Sequence, residues 1–238
     1  NGDILCTYAV LGLLLIPLVK ASDKELFWLA FLLFLQPVEL IYILLSQFNP
    51  DLQPMNLGTG QYWGETFKVC ADGSFLDVAR VNLACGLQIN FGWALENGRL
   101  TQTLMLFITG MLLGRKRLFL NEGDNLRFWR RAICWALLLF CSMQLLLNTI
   151  SFDQLSPVMN RSLDVLLTAW RNFAMMLFYV SGITLLYYNT GVRKAIDHLA
   201  YIGKMSLTDY LLQSIVGAFL FYNWGLALYH TCSHGYSF

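Results

Sequence analysis

Six long apolar runs divide this chain, and they restrict its possible folds more than any other feature. They lie at about Ile4–Val19, Glu25–Leu45, Leu100–Gly114, Phe128–Ile150, Asp164–Tyr188 and Leu207–Leu228. A helix that crosses a bilayer needs about 20 mostly apolar residues, so each run, with its flanks, reads as a span. The expected fold is all-α: a polytopic membrane bundle of about six transmembrane helices, with residues 1–238 as a single membrane domain. Composition agrees, with 57% hydrophobic and only 13% charged residues, too apolar for a soluble domain of this size. A net charge of +1 excludes a bulk electrostatic partner such as nucleic acid and leaves the lipid bilayer as the expected one.

The connections carry the orientation. Lys20 and Lys24, then Arg115, Lys116, Arg117, Arg127, Arg130 and Arg131, then Arg193, Lys194 and Lys204 all fall on one side of a six-span layout. Positive charge gathers on the cytoplasmic side, so both ends of the chain and the 48–98 connection are expected outside. Within that connection the stretch Val78–Leu95 is apolar but interrupted by Arg80, Asn82, Gln88 and Asn90. It reads as a helix packed over one end of the bundle rather than a seventh span. Trp28, Trp129 and Trp170 fall near the expected interfaces. The opening Asn1-Gly2-Asp3 carries no signal-peptide pattern. The chain is expected to be the C-terminal part of a longer protein, whose N-terminal part would be a partner; a homo-oligomer is a further expectation.

Polar groups inside apolar runs carry the functional signal, because they are costly at bilayer depth unless paired or facing a wet cavity. Gln36-Pro37-Val38-Glu39 sits in the middle of the second run. Proline frees a carbonyl and bends a helix, and Glu39 beside that bend is neutral, paired with a cation or turned to a cavity. In the third run Arg99, Gln102 and Thr103 share a face with Gly110 and Gly114, a small-xxx-small pattern that admits a neighbouring helix. In the fifth, Asp164, Thr168, Arg171, Met175, Tyr179 and Gly182 form one stripe. Asp3 is placed to pair with Arg99 or Arg171. Each of these residues also has a plain reading as an outer-rim salt bridge or an interhelical bond.

The last run opens with Gly203-Lys204-Met205-Ser206-Leu207-Thr208-Asp209-Tyr210-Leu211-Leu212-Gln213-Ser214. Ser206, Tyr210, Gln213, Ser214 and Gly217 share one helical face. In one reading Ser206 and Asp209 form a capping box and Gln213 bonds a neighbouring helix. In the other the face lines a polar chamber. Arg115-Lys116-Arg117 is either a topological signal or a cradle for an anionic cofactor. The six cysteines do not read as a disulfide framework. His230, Cys232 and His234 have metal-compatible spacing but read as a polar tail, so no metal is expected. No P-loop, dinucleotide fingerprint or Ser-His-Asp set is present.

Several motifs together resemble the YeiB-like bacterial membrane proteins, which carry the domain of unknown function numbered 418. These are Asn1-Gly2-Asp3-Ile4-Leu5 with Tyr8-Ala9, Gly98 to Leu104, Phe107 to Arg115, Gly203 to Ser214 and Gly225–Tyr229. Asp209 stands where the family pattern leads one to expect Asn. The resemblance implies a bacterial inner-membrane, multi-pass protein. It also implies a distant similarity to membrane acyltransferases, which move an acyl group from cytoplasmic acyl-CoA to an extracytoplasmic acceptor. On that basis acyl-CoA is the expected donor, with no permanently bound cofactor, and the catalytic His is expected upstream of Asn1. The candidate polar-chamber residues are Asp3, Glu39, Arg99, Gln102, Arg171, Tyr210 and Gln213, of which Glu39 and Arg171 come from burial rather than from family motifs. A small-solute or lipid transporter and a non-catalytic membrane scaffold are the competing readings.

Overall fold

The structure, a computed structural model, describes residues 4–49, 51–149, 155–189 and 191–228. All regular structure among them is α-helical: α1 (Ile4–Leu18), α2 (Asp23–Phe34), α3 (Pro37–Phe48), α4 (Thr59–Asp72), α5 (Phe75–Glu96), α6 (Arg99–Arg115), α7 (Asn125–Thr149), α8 (Pro157–Tyr187), α9 (Arg193–Lys204) and α10 (Ser206–Phe221). The chain divides into two compact units. The larger holds Leu5–Asn56 and Ala94–Arg193, the smaller Asn1–Ile4, Leu57–Trp93 and Lys194–Phe238.

Among the described residues of the larger unit, α7 and α8, with 25 and 31 residues, are the two helices long and apolar enough on their own to cross a membrane. At 1.5 Å per residue they reach about 38 and 46 Å, beyond the roughly 30 Å of a hydrocarbon core. They pack against each other. Ser156 caps α8 by accepting from the Met159 N–H, and Pro157 sits at the first helical position, where its missing N–H costs nothing. Val158, Ser162, Val165 and Ala169 are buried at spacings of four, three and four, one face of the helix.

α2 and α3 form a third span only when taken as one, because they meet at a 45° bend. A kinked but continuous helix was expected around Pro37. The chain instead stops and restarts. α2 ends at Phe34, Gln36 takes a left-handed conformation (φ 52°), and Pro37 opens α3. The start of α2 is as the sequence indicates, since Ser22 and Glu25 cap each other's backbone N–H groups. Leu26 and Ala30 of α2 close a small core with Met105 and Ile108 of α6.

The other apolar helices are shorter: α1 has 15 residues, α6 has 17 and α10 has 16. α5 has 22 residues but does not pass as a span. Arg115, at the end of α6, is not a free cation. Its guanidinium donates to the backbone carbonyls of Val19 and Ala21 and pairs with Asp23 at 3.2 Å, clamping the turn between α1 and α2. Among the described residues, Gly110 and Gly114 have open space where a Cβ would stand, so the small-residue face expected to admit a helix is open there. Of the tryptophans expected at interfaces, Trp28 is exposed, whereas Trp129 is not. Trp129 is fully buried, stacks on Phe119 and donates its indole N–H to the Leu118 carbonyl at 2.7 Å.

In the smaller unit Gly73 turns the chain between α4 and α5, where a Cβ would lie 2.5 Å from the Val69 carbonyl oxygen. Ser74 and Asp77 then form a reciprocal cap on α5. Asn223 holds the carbonyls of Cys70 and Asp72 at the end of α4. The capping box expected at Ser206 and Asp209 is not formed. α9 runs to Lys204, so Met205 takes the cap position and Ser206 is already helical. The five described cysteines form no disulfide with one another.

Candidate functional site

The break between α2 and α3 gathers the polar groups of the larger unit. Ending a helix among apolar neighbours leaves carbonyls that need donors. The indole of Trp170, on α8, donates to the Phe34 carbonyl at 2.7 Å and stacks on the Phe34 ring. Gln36 is 1% exposed, and its amide oxygen accepts from the Thr101 hydroxyl in the first turn of α6. That side chain lies against Gly98, whose positive φ of 61° disfavours any side chain and where a Cβ would crowd the Gln36 amide oxygen at 3.0 Å and Val165 at 3.1 Å.

One turn into α3 stands Glu39, 7% exposed. The Ser162 hydroxyl is its hydrogen-bonding neighbour, and the Arg161 guanidinium acts on it through space. Arg161 itself donates to the backbone carbonyls of Met55 and Glu96. A carboxyl withdrawn from water this far is held by a neighbouring donor and a nearby cation, not by solvent.

Gln102 is the second buried amide. It accepts from Arg99 at 2.9 Å and donates to the Ala169 carbonyl at 3.1 Å, bridging α6 to α8. Asn97, Arg99, Gln102, Asp164 and Thr168 line a polar cleft of about 60 Å³, room for about two waters at roughly 30 Å³ each. On the α2–α6 side, Phe27, Phe31, Phe34, Met105, Leu112 and Phe173 line an apolar groove of about 270 Å³. It reaches Phe34, the last residue before the break. Its one polar side chain, Thr109, spends its hydroxyl on the Met105 carbonyl.

Of the residues singled out in the sequence, Glu39, Arg99 and Gln102 lie in this junction of α3, α6 and α8. Arg171 does not share the cleft; it reaches Gln144 of α7 at 3.5 Å. Tyr210 and Gln213 belong to the smaller unit. There Gln213 is exposed and Tyr210 half-buried, while the Ser214 hydroxyl bonds back to the Tyr210 carbonyl. Asp3, His230, Cys232 and His234 lie outside the described residues. Among the described residues, no group of three or more His, Cys, Asp or Glu side chains stands together to hold a metal ion.

Sequence reasoning passed over Arg161 and Ser162; it met Gln36 only as the neighbour of Pro37, Thr101 only within a motif, and Trp170 only as an interface aromatic. The available signals were Gln36 directly before the proline and the polar triplet Asn160-Arg161-Ser162 just inside α8.

The chain is similar to the uncharacterized protein YxaH of Bacillus subtilis (strain 168), with 28% identity over 240 residues. That match covers 96% of this chain and 56% of the relative, so the chain spans about half the length of the curated relative it matches. No solved structure matches it. Residues 113–238 match the family described as Protein of unknown function (DUF418). That match takes in more than half of the sequence and includes the Gly203–Ser214 motif, and on it the chain belongs to the DUF418 family.

Proposed function

We propose that this chain supplies about six spans of a longer bacterial inner-membrane enzyme. In this reading the whole protein transfers an acyl group from a cytoplasmic acyl-CoA to an acceptor hydroxyl on the outer side. The thioester carbon–sulfur bond breaks, an ester carbon–oxygen bond forms, the acceptor's proton passes to a base, and coenzyme A leaves as its thiol. The supporting observation is the buried junction at the α2–α3 break, where Glu39, Gln36 and Gln102 converge among apolar helices. Such groups are retained in lipid surroundings when they face a substrate or proton path. The junction's role is to orient: Arg99 and Gln102 hold the polar end of a substrate, and the apolar groove beside Phe34 takes a hydrocarbon portion. The reacting base is not assigned to a residue of this chain.

The test is incubation of the full-length protein, in membrane vesicles, with radiolabelled acyl-CoA. Label transferred to a lipid or glycan pool supports the reading, and loss of transfer in Glu39→Gln places that carboxyl on the path. The break itself favours a second reading, because transporters bind solutes at interrupted helices. Uptake that depends on Glu39, without acyl transfer, selects transport. Neither activity selects a scaffold whose polar groups only join helices.

A further inference from the structure

We propose that α9 is a surface helix that lies on anionic phospholipid headgroups. With 12 residues it is about 18 Å long, well short of the roughly 30 Å hydrocarbon core, so it cannot cross. It is the most strongly two-faced helix in the chain and the least apolar overall. In sequence register, Arg193, Asp197 and Lys204 fall on one side and Ile196 falls away from them. A two-faced, weakly apolar, cation-bearing helix is the kind that settles in the plane of a membrane interface.

Its place in the chain fits that role. α8, long enough to cross, precedes it, and only Met205 separates it from apolar α10. The cations stand at both ends, three against the single carboxylate of Asp197. Arg193 sits 5.2 Å over the Tyr187 ring and Lys204 sits 5.6 Å over the Tyr201 ring. Such aromatic partners suit the headgroup level of a membrane. Arg193, Asp197, Tyr201 and Lys204 are exposed. Charge complementarity selects an anionic lipid surface over a neutral one. The proposal stands apart from acyl transfer and does not depend on it.

Hydrogen exchange of residues 193–204 in the full-length protein tests this, with the protein in nanodiscs of pure phosphatidylcholine or of phosphatidylcholine mixed with phosphatidylglycerol. Each cation near an anionic surface contributes about fivefold to affinity. Exchange is therefore expected to slow by about tenfold or more in the anionic discs. Reversing the charges with Arg193→Glu and Lys204→Glu is expected to erase that difference. In the unaltered protein, raising the salt concentration is expected to erase it too, which covers the case of a variant that fails to fold. Equal protection in both lipids overturns the proposal, because it would mean that α9 packs on protein rather than on lipid charge. A difference that survives both charge reversal and salt overturns it as well.

Discussion

Two polar stretches interrupt apolar sequence in this protein, and they end up in opposite surroundings. Gln36-Pro37-Val38-Glu39 folds inward: Gln36 and Glu39 are 1% and 7% exposed, with partners on α6 and α8. The Ser206–Ser214 stretch, richer in motif, leaves Ser206, Gln213 and Ser214 exposed, and α10 has no buried residue. Motif density and burial therefore point to different places. The first marks kinship, since it lies within the family match; the second marks where removing a polar atom has an energetic consequence. The physical reason is tertiary. A buried amide has no water to replace a lost partner, whereas an exposed one does.

The sharpest way to break this contrast is at Gly98. Gly98→Val forces a β-branched residue into a left-handed conformation and places its Cβ about 3.0 Å from the Gln36 amide oxygen. A destabilisation of about 3 kcal/mol is expected, measured as a lower unfolding temperature in detergent. A variant that unfolds like the parent would mean that the α2–α3 break does not depend on its seat.

Next is the pair Gln102→Ala and Gln213→Ala. The first removes the partner of both Arg99 and the Ala169 carbonyl and is expected to cost about 2 kcal/mol. The second, on an exposed face, is expected to change stability by less than about 0.5 kcal/mol. Equal effects would remove the distinction between the two stretches.

Trp170→Phe separates stacking from bonding. It keeps an aromatic ring against Phe34 and loses the donor to the Phe34 carbonyl, with an expected cost of about 1 kcal/mol. Faster amide exchange at the end of α2 and the start of α3 should accompany it.

The smallest effect concerns pH and lies in the other unit. Hydrogen bonds from Ser74 hold the Asp77 carboxyl below its ordinary value, the Ser74 side chain acting most strongly. A depressed carboxylate contributes its stabilisation above the unfolded pKa, about 3.9, and loses it as pH falls through the folded value. The first turn of α5 should therefore fray below about pH 4. Amide exchange compared with Asp77→Asn reads this, since the variant should lack the acid-dependent change.

What could be read from the sequence was local. The Ser22–Glu25 cap spans three residues and forms as its pattern indicates, and α7 and α8 are long and apolar enough to be candidate spans. Pro37 announced a bend, not the full stop and restart that the chain makes. The left-handed turn at Gln36 did not show, because its side chain is held by Thr101, 65 residues away. Glu39 was identifiable as a buried carboxylate, but its neighbours on α8 depend on how α3 packs, which no short pattern encodes. The Ser206–Asp209 pattern failed for a local reason of another kind: the preceding helix continues until one residue before it, so the cap position was already taken. Gly110 and Gly114 carry a packing pattern whose face is open among the described residues.

Arg115 adds a consequence in time. It donates to the Ala21 carbonyl across 94 residues of sequence, so the turn between α1 and α2 leaves the ribosome long before its clamp exists. At about 5–20 residues per second, that interval is roughly 5–20 s. During it the Val19 and Ala21 carbonyls are without the Arg115 donor, and the turn is clamped only when the end of α6 emerges.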